Sequence, residues 1–500
     1  MYARMTPLAV VTAVVLFAGT PSLRAQSPER QESDIGRLIA AMLGDTPLVR
    51  DLMSLTQEIG GRATGSPANR EAVFWAVERF REAGLPVARE AFTMPSLWLE
   101  RSASGVVRGE GVSFPARMAA MPFSTATPRG GVTAPLVSVG SGSEDEFARV
   151  GAGARGAFLL VATSELLDIE GLFLEYSDAY AIERRAVSAG ARGVIYMGSR
   201  AEGILHRHNS SLLGGLARPM AIMDRGPATR ALALLNAGRS LTLTLDLDLE
   251  TGSSYESHNV IGEIRGATRP DEIVVVGAHL DSWDLGGGAL DNGANVALVI
   301  DVARQMRRLG IRPARTIRFA LWNGEEQGLR GSAGYAQTHE DELDRHVMAM
   351  SFDIGCGLIN GFFTGGRPEV LAGLEHRLAP VRGLGPFTNI DVPIVGTDNF
   401  DFMMHGVANL VGNQEPATYG PNYHASSDQF EECDVRTLRL NAAIVAAVTY
   451  GFATGEVSWR RQSRAEIERL IAETDLEEQM RTFSVWAEWE DGSRGRQRDR

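Results

Sequence analysis

The sequence predicts an α/β protein: a mixed, mostly parallel central sheet flanked by helices, interrupted by an inserted β-rich segment. Three observations carry this. From Ser257 onward, apolar runs of strand length alternate with amphipathic helical stretches, the pattern of a sheet covered on both faces. Over residues 130–249 the texture changes to short β-rich runs separated by small helices. A chain of 500 residues also exceeds what one core ordinarily holds, so two or three domains are expected.

The elements follow in order. Residues 1–25 carry Arg4, an apolar run over 7–19 and Ala25 at a small-residue cleavage position, which reads as a signal peptide. The apolar run is shorter than the ~20 residues of a spanning helix, so no membrane anchor is expected after its removal. Residues 35–125 are expected to form the first part of the main domain. Helical spacing runs over 35–43, and a second helix starts at Ser66, a good N-cap with Pro67 at N1. It carries Val73, Phe74, Val77 and Phe80 on one face and is closed by Gly84. Strands are expected over 87–94 and 97–107.

The inserted domain, 130–249, holds strands over 134–139, 157–161, 193–197 and 241–247, with a helix over 179–189 closed by Gly190. The segment 256–456 holds strands over 273–277, 316–321 and 347–351 and helices over 294–309, 332–338 and 441–452. Residues 457–500 read as a charged helix, 464–480, and a solvated arginine-rich tail.

A net charge of −13 argues against nucleic acid, because phosphate binding needs clustered basic residues. The signal places the mature chain outside the cytoplasm, secreted or periplasmic. Its two cysteines, Cys356 and Cys433, can form a bridge in that compartment or stay as two buried thiols.

The chemistry sits at strand ends. Three apolar strands run out into His279-Leu280-Asp281, into Asn323-Gly324-Glu325-Glu326, and into Phe352-Asp353. Ligands of open α/β sheets bind beyond the carboxyl ends of strands, so these groups face one crevice. The glycine-rich loop GGGALDNGAN holds Asp291 just before a helix, and YHASSD supplies His424. Imidazoles and carboxylates together suit zinc, and one carboxylate between two cations can hold them ~3.5–4 Å apart. The glycine run lacks the GK[ST] of a phosphate cradle, so it reads as a tight loop that positions Asp291.

The strings GAHLDSWDLGGGALDNGAN, WNGEEQGLRGS, MSFDIG and YHASSDQF resemble the motifs of the M28 family of metallopeptidases, in order and spacing. HLDSWDLGGGALDNG, with Gly61-Arg62 and Thr64-Gly65-Ser66, is most similar to the carboxypeptidase Q branch. The resemblance spans about 35–452 and implies a zinc-aminopeptidase-like fold, with 130–249 as an inserted protease-associated domain. It implies two zinc ions per chain bridged by Asp291. His279 and Asp353 would complete one, Glu326 and His424 the other. Glu325 would be the general base, and Asp281 would bond the free ring nitrogen of His279. Tyr419 or Tyr423 is a candidate donor to the oxyanion. Asn292 departs from the branch, where a second Asp is common, and removes a charge from that position. The implied substrate is a peptide cut at one end, with amino- and carboxypeptidase action both open, and a homodimer is expected by analogy.

Alone, His279 is a loop histidine, Glu325-Glu326 a solvated helix start and Asp353 a cap; together the set favours a site. His206 and His208 are expected at the surface, and Asn209-Ser210-Ser211 is a formal glycosylation sequon. Two other function classes compete. A non-catalytic binding protein on the same fold would have lost ligands, and a glutaminyl cyclase-like acyltransferase would hold one zinc. Metal stoichiometry separates them.

Overall fold

The computed structural model describes residues 28–166, 169–208 and 218–497. The signal expected over 1–25 and the sequon at Asn209 lie outside the described residues. Strand β1, Val87–Met94, belongs to the central sheet. The barrel strands follow: β2, Leu97–Gly109; β3, Val112–Ala120; β4, Val132–Ser138; β5, Phe158–Val161. They continue with β6, Gly193–Met197; β7, Met220–Met223; and β8, Leu241–Gly252. The central sheet resumes with β9, Tyr255–Ile264; β10, Arg269–His279; and β11, Arg315–Trp322. It ends with β12, His346–Ser351; β13, Ile359–Phe363; and β14, Asn409–Gln414.

The sheet order is β1-β9-β11-β10-β12-β14-β13. The parallel core is β11-β10-β12-β14, while β1, β9 and β13 pair antiparallel at the two sides. The sheet is therefore mixed but only half of its pairings are parallel, fewer than expected. In β10 every residue from Ile273 to His279 is buried, as a strand covered on both faces requires. The helix Ala294–Arg308 packs beside it and ends in Arg307 and Arg308, which suit the negative end of its dipole. The helix Pro67–Glu82 starts as the sequence dictates, with Ser66 Oγ accepting from Asn69 N at 3.0 Å. Phe74, expected on its buried face, is 60% exposed.

The second unit is a closed barrel, β2-β3-β7-β6-β5-β4-β8. Its β8 sequence LTLTLDLDL turns Leu241, Leu243, Leu245, Leu247 and Leu249 inward by strict period-two alternation. The boundary expected at 130 is corrected by this pairing. β8 pairs along the length of β2, and β2 pairs with β3, so residues 97–120 are barrel strands. Closure leaves no free edge, which only the longer segment achieves.

Cys356 and Cys433 are joined in a disulfide. Among the described residues, no helix is long and apolar enough to cross a membrane.

The C-terminal segment also departs from expectation. The stretch 464–480 breaks into two helices, Arg464–Glu473 and Leu476–Thr482. Their buried Ile467, Ile471, Leu476 and Met480 pack on Phe400, Met403 and Met404 of the helix Asn399–Met404. Arg494, expected in a solvated tail, is 5% exposed and grips both carboxylate oxygens of buried Asp401 at 2.7 and 2.8 Å. A bidentate fork of this kind fixes the end of the chain to the main domain. Asp401→Ala should lower unfolding free energy by ~3–5 kcal/mol in urea titrations followed by tryptophan fluorescence, because the guanidinium loses its buried counter-charge. A loss below about 1 kcal/mol would show that the pair does not anchor the segment.

Candidate metal centre

The parallel register of the core brings the strand ends together. His279 ends β10 opposite Trp322 of β11, and Gly277 of β10 lies opposite Ser351 of β12. The chain leaving β11 therefore delivers Glu325 and Glu326, and the chain leaving β12 delivers Asp353, to the edge where His279 stands. Asp291 and His424 arrive from loops.

Asp291 is shared. Its Oδ1 lies 3.0 Å from His279 Nε2, and its Oδ2 lies 3.5 Å from His424 Nε2. On the first side His279 Nε2 is also 2.9 Å from Asp353 Oδ1. On the second, His424 Nε2 is 2.8 Å from Glu326 Oε2. His279, Asp291 and Asp353 form one group able to hold a metal ion, and Asp291, Glu326 and His424 form the other. All five residues are buried. Glu325 belongs to neither group; its Oε2 stands 3.9 Å from His279 Nε2 and its side chain lines the adjoining cavity. The structure thus brings together every residue picked from the sequence.

Asp281 differs in detail. The nearest partner of His279 Nδ1 is the Asp281 main-chain oxygen at 3.0 Å, while the Asp281 carboxylate is 3.6 Å away. That carboxylate instead accepts from Thr64 Oγ1 at 2.6 Å and from Glu325 N at 3.3 Å. It braces the Glu325 turn, and the carbonyl orients the ring.

The Asp291 loop is built by its neighbours. Asp428 accepts from the amides of Ala289, Leu290 and Asp291 at 2.9, 2.7 and 3.2 Å. Buried Arg62 donates to the carbonyls of Leu280, Gly287 and Gly288. The glycines are needed here: a Cβ on Gly286 would stand 2.5 Å from Ala425 O, and Gly288 has φ +62°. Tyr419 Oη reaches 3.5 Å from Asp291 Oδ2, whereas Tyr423 Oη is 2.9 Å from Tyr176 Oη of the barrel unit.

His424 has φ +54°, a conformation that costs a β-carbon residue ~1–2 kcal/mol. The barrel holds it there. Arg207 N donates to His424 O at 2.9 Å, and Leu205 and Ser426 exchange hydrogen bonds. The neighbouring ladder contact pairs His206 with Ala425. His206 and His208 are therefore not surface residues; they are 1% and 3% exposed, sealed between the barrel and this loop. Sequence reasoning missed these contacts, along with the brace role of Asp428.

Without cations the centre is crowded with negative charge. Burial opposes charge on His279, but the Asp353 and Glu325 carboxylates outweigh it and hold the imidazolium well above the ordinary histidine range. Burial lifts Glu325 and Glu326 well above the usual carboxylate range, with neighbouring acids adding to it. Burial raises Asp353 to about 6 and lowers His424 to about 4. Binding a cation requires the neutral imidazole and the ionised acids, so it must expel protons. Zinc titration of metal-free protein at pH 7, in two buffers of different ionisation enthalpy, should show release of about one proton or more. The release should shrink as pH rises through the raised values, where the groups have already lost their protons. Heats that do not depend on the buffer would contradict the protonated metal-free centre.

Comparison with known proteins follows this geometry. The sequence profile described as peptidase family M28 matches residues 259–449, which contain every group named in the two clusters. The chain is 28% identical over 401 residues to carboxypeptidase Q of Mus musculus, covering 79% of this chain and 83% of the relative. It is 28% identical to the probable lipoprotein aminopeptidase LpqL of Mycobacterium tuberculosis, over 81% of this chain and 83% of that one. The crystal structure of a peptidase M28 precursor from Shewanella amazonensis SB2B superposes with a TM-score of 0.78 at 28% identity, over 87% of this chain and 100% of that chain.

Proposed function

The chain belongs to metallopeptidase family M28, and from that premise we propose that it is a two-zinc exopeptidase acting on short peptides with a free amino terminus. One observation carries the reading: a single carboxylate, Asp291, turns one oxygen toward each of two histidines that each have a further acid beside them. The donor set fits the ions. Within each group the ligand atoms lie within 4.8 Å of one another, and imidazole nitrogen with carboxylate oxygen is a zinc-type set. Zinc in such a pair polarises a carbonyl and acidifies a water.

The chain's own residues do the rest. Glu325 stands at the cavity wall, outside both ligand groups, with its amide fixed by Asp281. It takes a proton from the attacking water and returns it to the leaving nitrogen. Tyr419 Oη, 3.5 Å from Asp291 Oδ2, is the hydroxyl we assign as donor to the carbonyl oxygen as it gains charge. The choice of end rests on charge. Among the described residues lining the cavities at the centre there are Glu325, Glu326, Asp291 and Asp353 but no Arg or Lys. A terminal carboxylate would have no basic side chain among them to pair with, which supports the amino end.

We read the barrel over 97–252 as an inserted protease-associated domain, and the chain as secreted or periplasmic, which the Cys356–Cys433 disulfide supports.

Glu325→Gln should retain about two zinc ions per chain by elemental analysis while kcat falls ~10²–10⁴-fold, the share a positioned base supplies. Near-normal turnover in that variant removes Glu325 from the mechanism. Free dipeptides should be cut and their N-acetylated forms spared; faster cleavage of the acetylated forms would assign the carboxyl end instead.

A further inference from the structure

The segment beyond the family match, residues 457–497, reaches into the candidate active site. Gln479 ties the helix Leu476–Thr482 to the cavity wall: its Oε1 accepts from Val395 N at 2.9 Å. Arg494 donates to the carbonyls of Gly328 and Leu329, just past Glu325 and Glu326, while it holds Asp401. Between these two anchors the chain turns at Ser484, φ +59°, and presents Phe483 to the cavities.

A ring from the barrel meets it. Tyr176, on the helix Ile169–Ser188, lies 5.6 Å from Phe483 between ring centroids. Its hydroxyl bonds Tyr423, whose ring stacks on His424 at 3.7 Å. Three separate parts of the chain thus form one aromatic roof. All three rings line a cavity of about 110 Å³ that Asp291, Glu325 and Asp353 also line. Its side walls are Leu172, Ile354, Ile394, Val395 and Val411.

We propose that Phe483 is a specificity-determining residue that closes this cavity to select a branched aliphatic side chain on the residue next to the cleaved bond. The proposal rests on the exopeptidase reading above. The lining decides the class: Leu172, Ile354, Ile394, Val395 and Val411 offer an aliphatic side chain apolar contact beside the metal centre, and the Phe483 ring limits its length. Among the described lining residues the aliphatic side chains outnumber the polar ones away from the metal centre, which are Thr397 and the tyrosine hydroxyls.

The test compares leucine, glycine and phenylalanine p-nitroanilides on wild type and Phe483→Ala, with binding of leucine and glycine hydroxamates by calorimetry alongside. The leucine-to-glycine ratio of kcat/KM should fall about tenfold or more in Phe483→Ala, mainly through KM. The phenylalanine-to-leucine ratio should rise. Phe483→Leu should recover the leucine preference to within about threefold, and the hydroxamate affinities should follow the same order. An equal decline for all three substrates, or unchanged ratios, overturns the proposal. If Phe483→Ala does not fold, Phe483→Val and Phe483→Trp give the same reading, widening and narrowing the cavity. If wild type cuts only N-acetylated peptides, the choice of end fails separately, and the same three side chains placed at the carboxyl end decide the role of Phe483.

Discussion

Asp291 stands where two groups of ligand-type side chains meet, one oxygen toward His279 and the other toward His424. A carboxylate in that position cannot be satisfied by either imidazole alone, and it is surrounded by Glu326 and Asp353. Burial works to raise its pKa, yet the His279 hydrogen bond and charge, with His424 and Arg62, keep Asp291 below the usual carboxylate range. Its neighbours carry the cost instead, as their raised values show. The surrounding structure exists to hold this arrangement. Asp428 takes three amides of the loop, Arg62 takes its carbonyls, and Gly286 and Gly287 leave room where a Cβ would meet other backbone at under 3 Å. A loop so thoroughly bonded cannot relax to relieve the repulsion, so the centre is poised for cations.

The two domains contribute unequally to the centre. The sheet supplies His279, Glu326 and Asp353 at strand ends, where position follows from parallel register. Among the described residues the barrel supplies no member of the two ligand groups. It supplies the grip on His424, through Arg207 and the His206–Ala425 contact, that keeps a histidine at positive φ. Arg207 is itself pinned by Asp284 and Glu100 at 2.6 and 3.0 Å. Asp284 belongs to the loop between His279 and Asp291, so the contact couples the barrel to both halves of the centre.

What was legible in the sequence divides along the same line. His279, Asp291, Glu326 and Asp353 could be picked because they follow apolar strands or a glycine run, and periodicity places such ends on one edge. His424 was found by its motif rather than by its element, since its loop is ordered by residues more than 200 positions away. His206 and His208 carry no periodic signal and look like an isolated surface pair; only barrel docking buries them. Arg494 sits in a run of charges that reads as a solvated tail, and its partner Asp401 is 93 positions distant. The start of the barrel was misjudged for the related reason that β2 and β8 are paired across more than 130 residues. Contacts made by one element to another far along the chain leave no local trace.

Glu325 and Glu326 show how finely the backbone sorts neighbouring, chemically identical groups. They leave β11 through the same turn, and both are raised by burial. Glu326 is committed at both oxygens: Oε1 accepts from Trp283 N at 3.2 Å and Oε2 faces His424 at 2.8 Å. Glu325 is fixed through its main chain, by Asp281, and its carboxylate is left at the cavity. A ligand needs its side chain immobilised, whereas a base needs its main chain immobilised and its oxygens free to exchange a proton. The chain meets both needs with two adjacent residues because Asp281 and Trp283, two positions apart on the facing loop, take hold of one at the backbone and the other at the side chain.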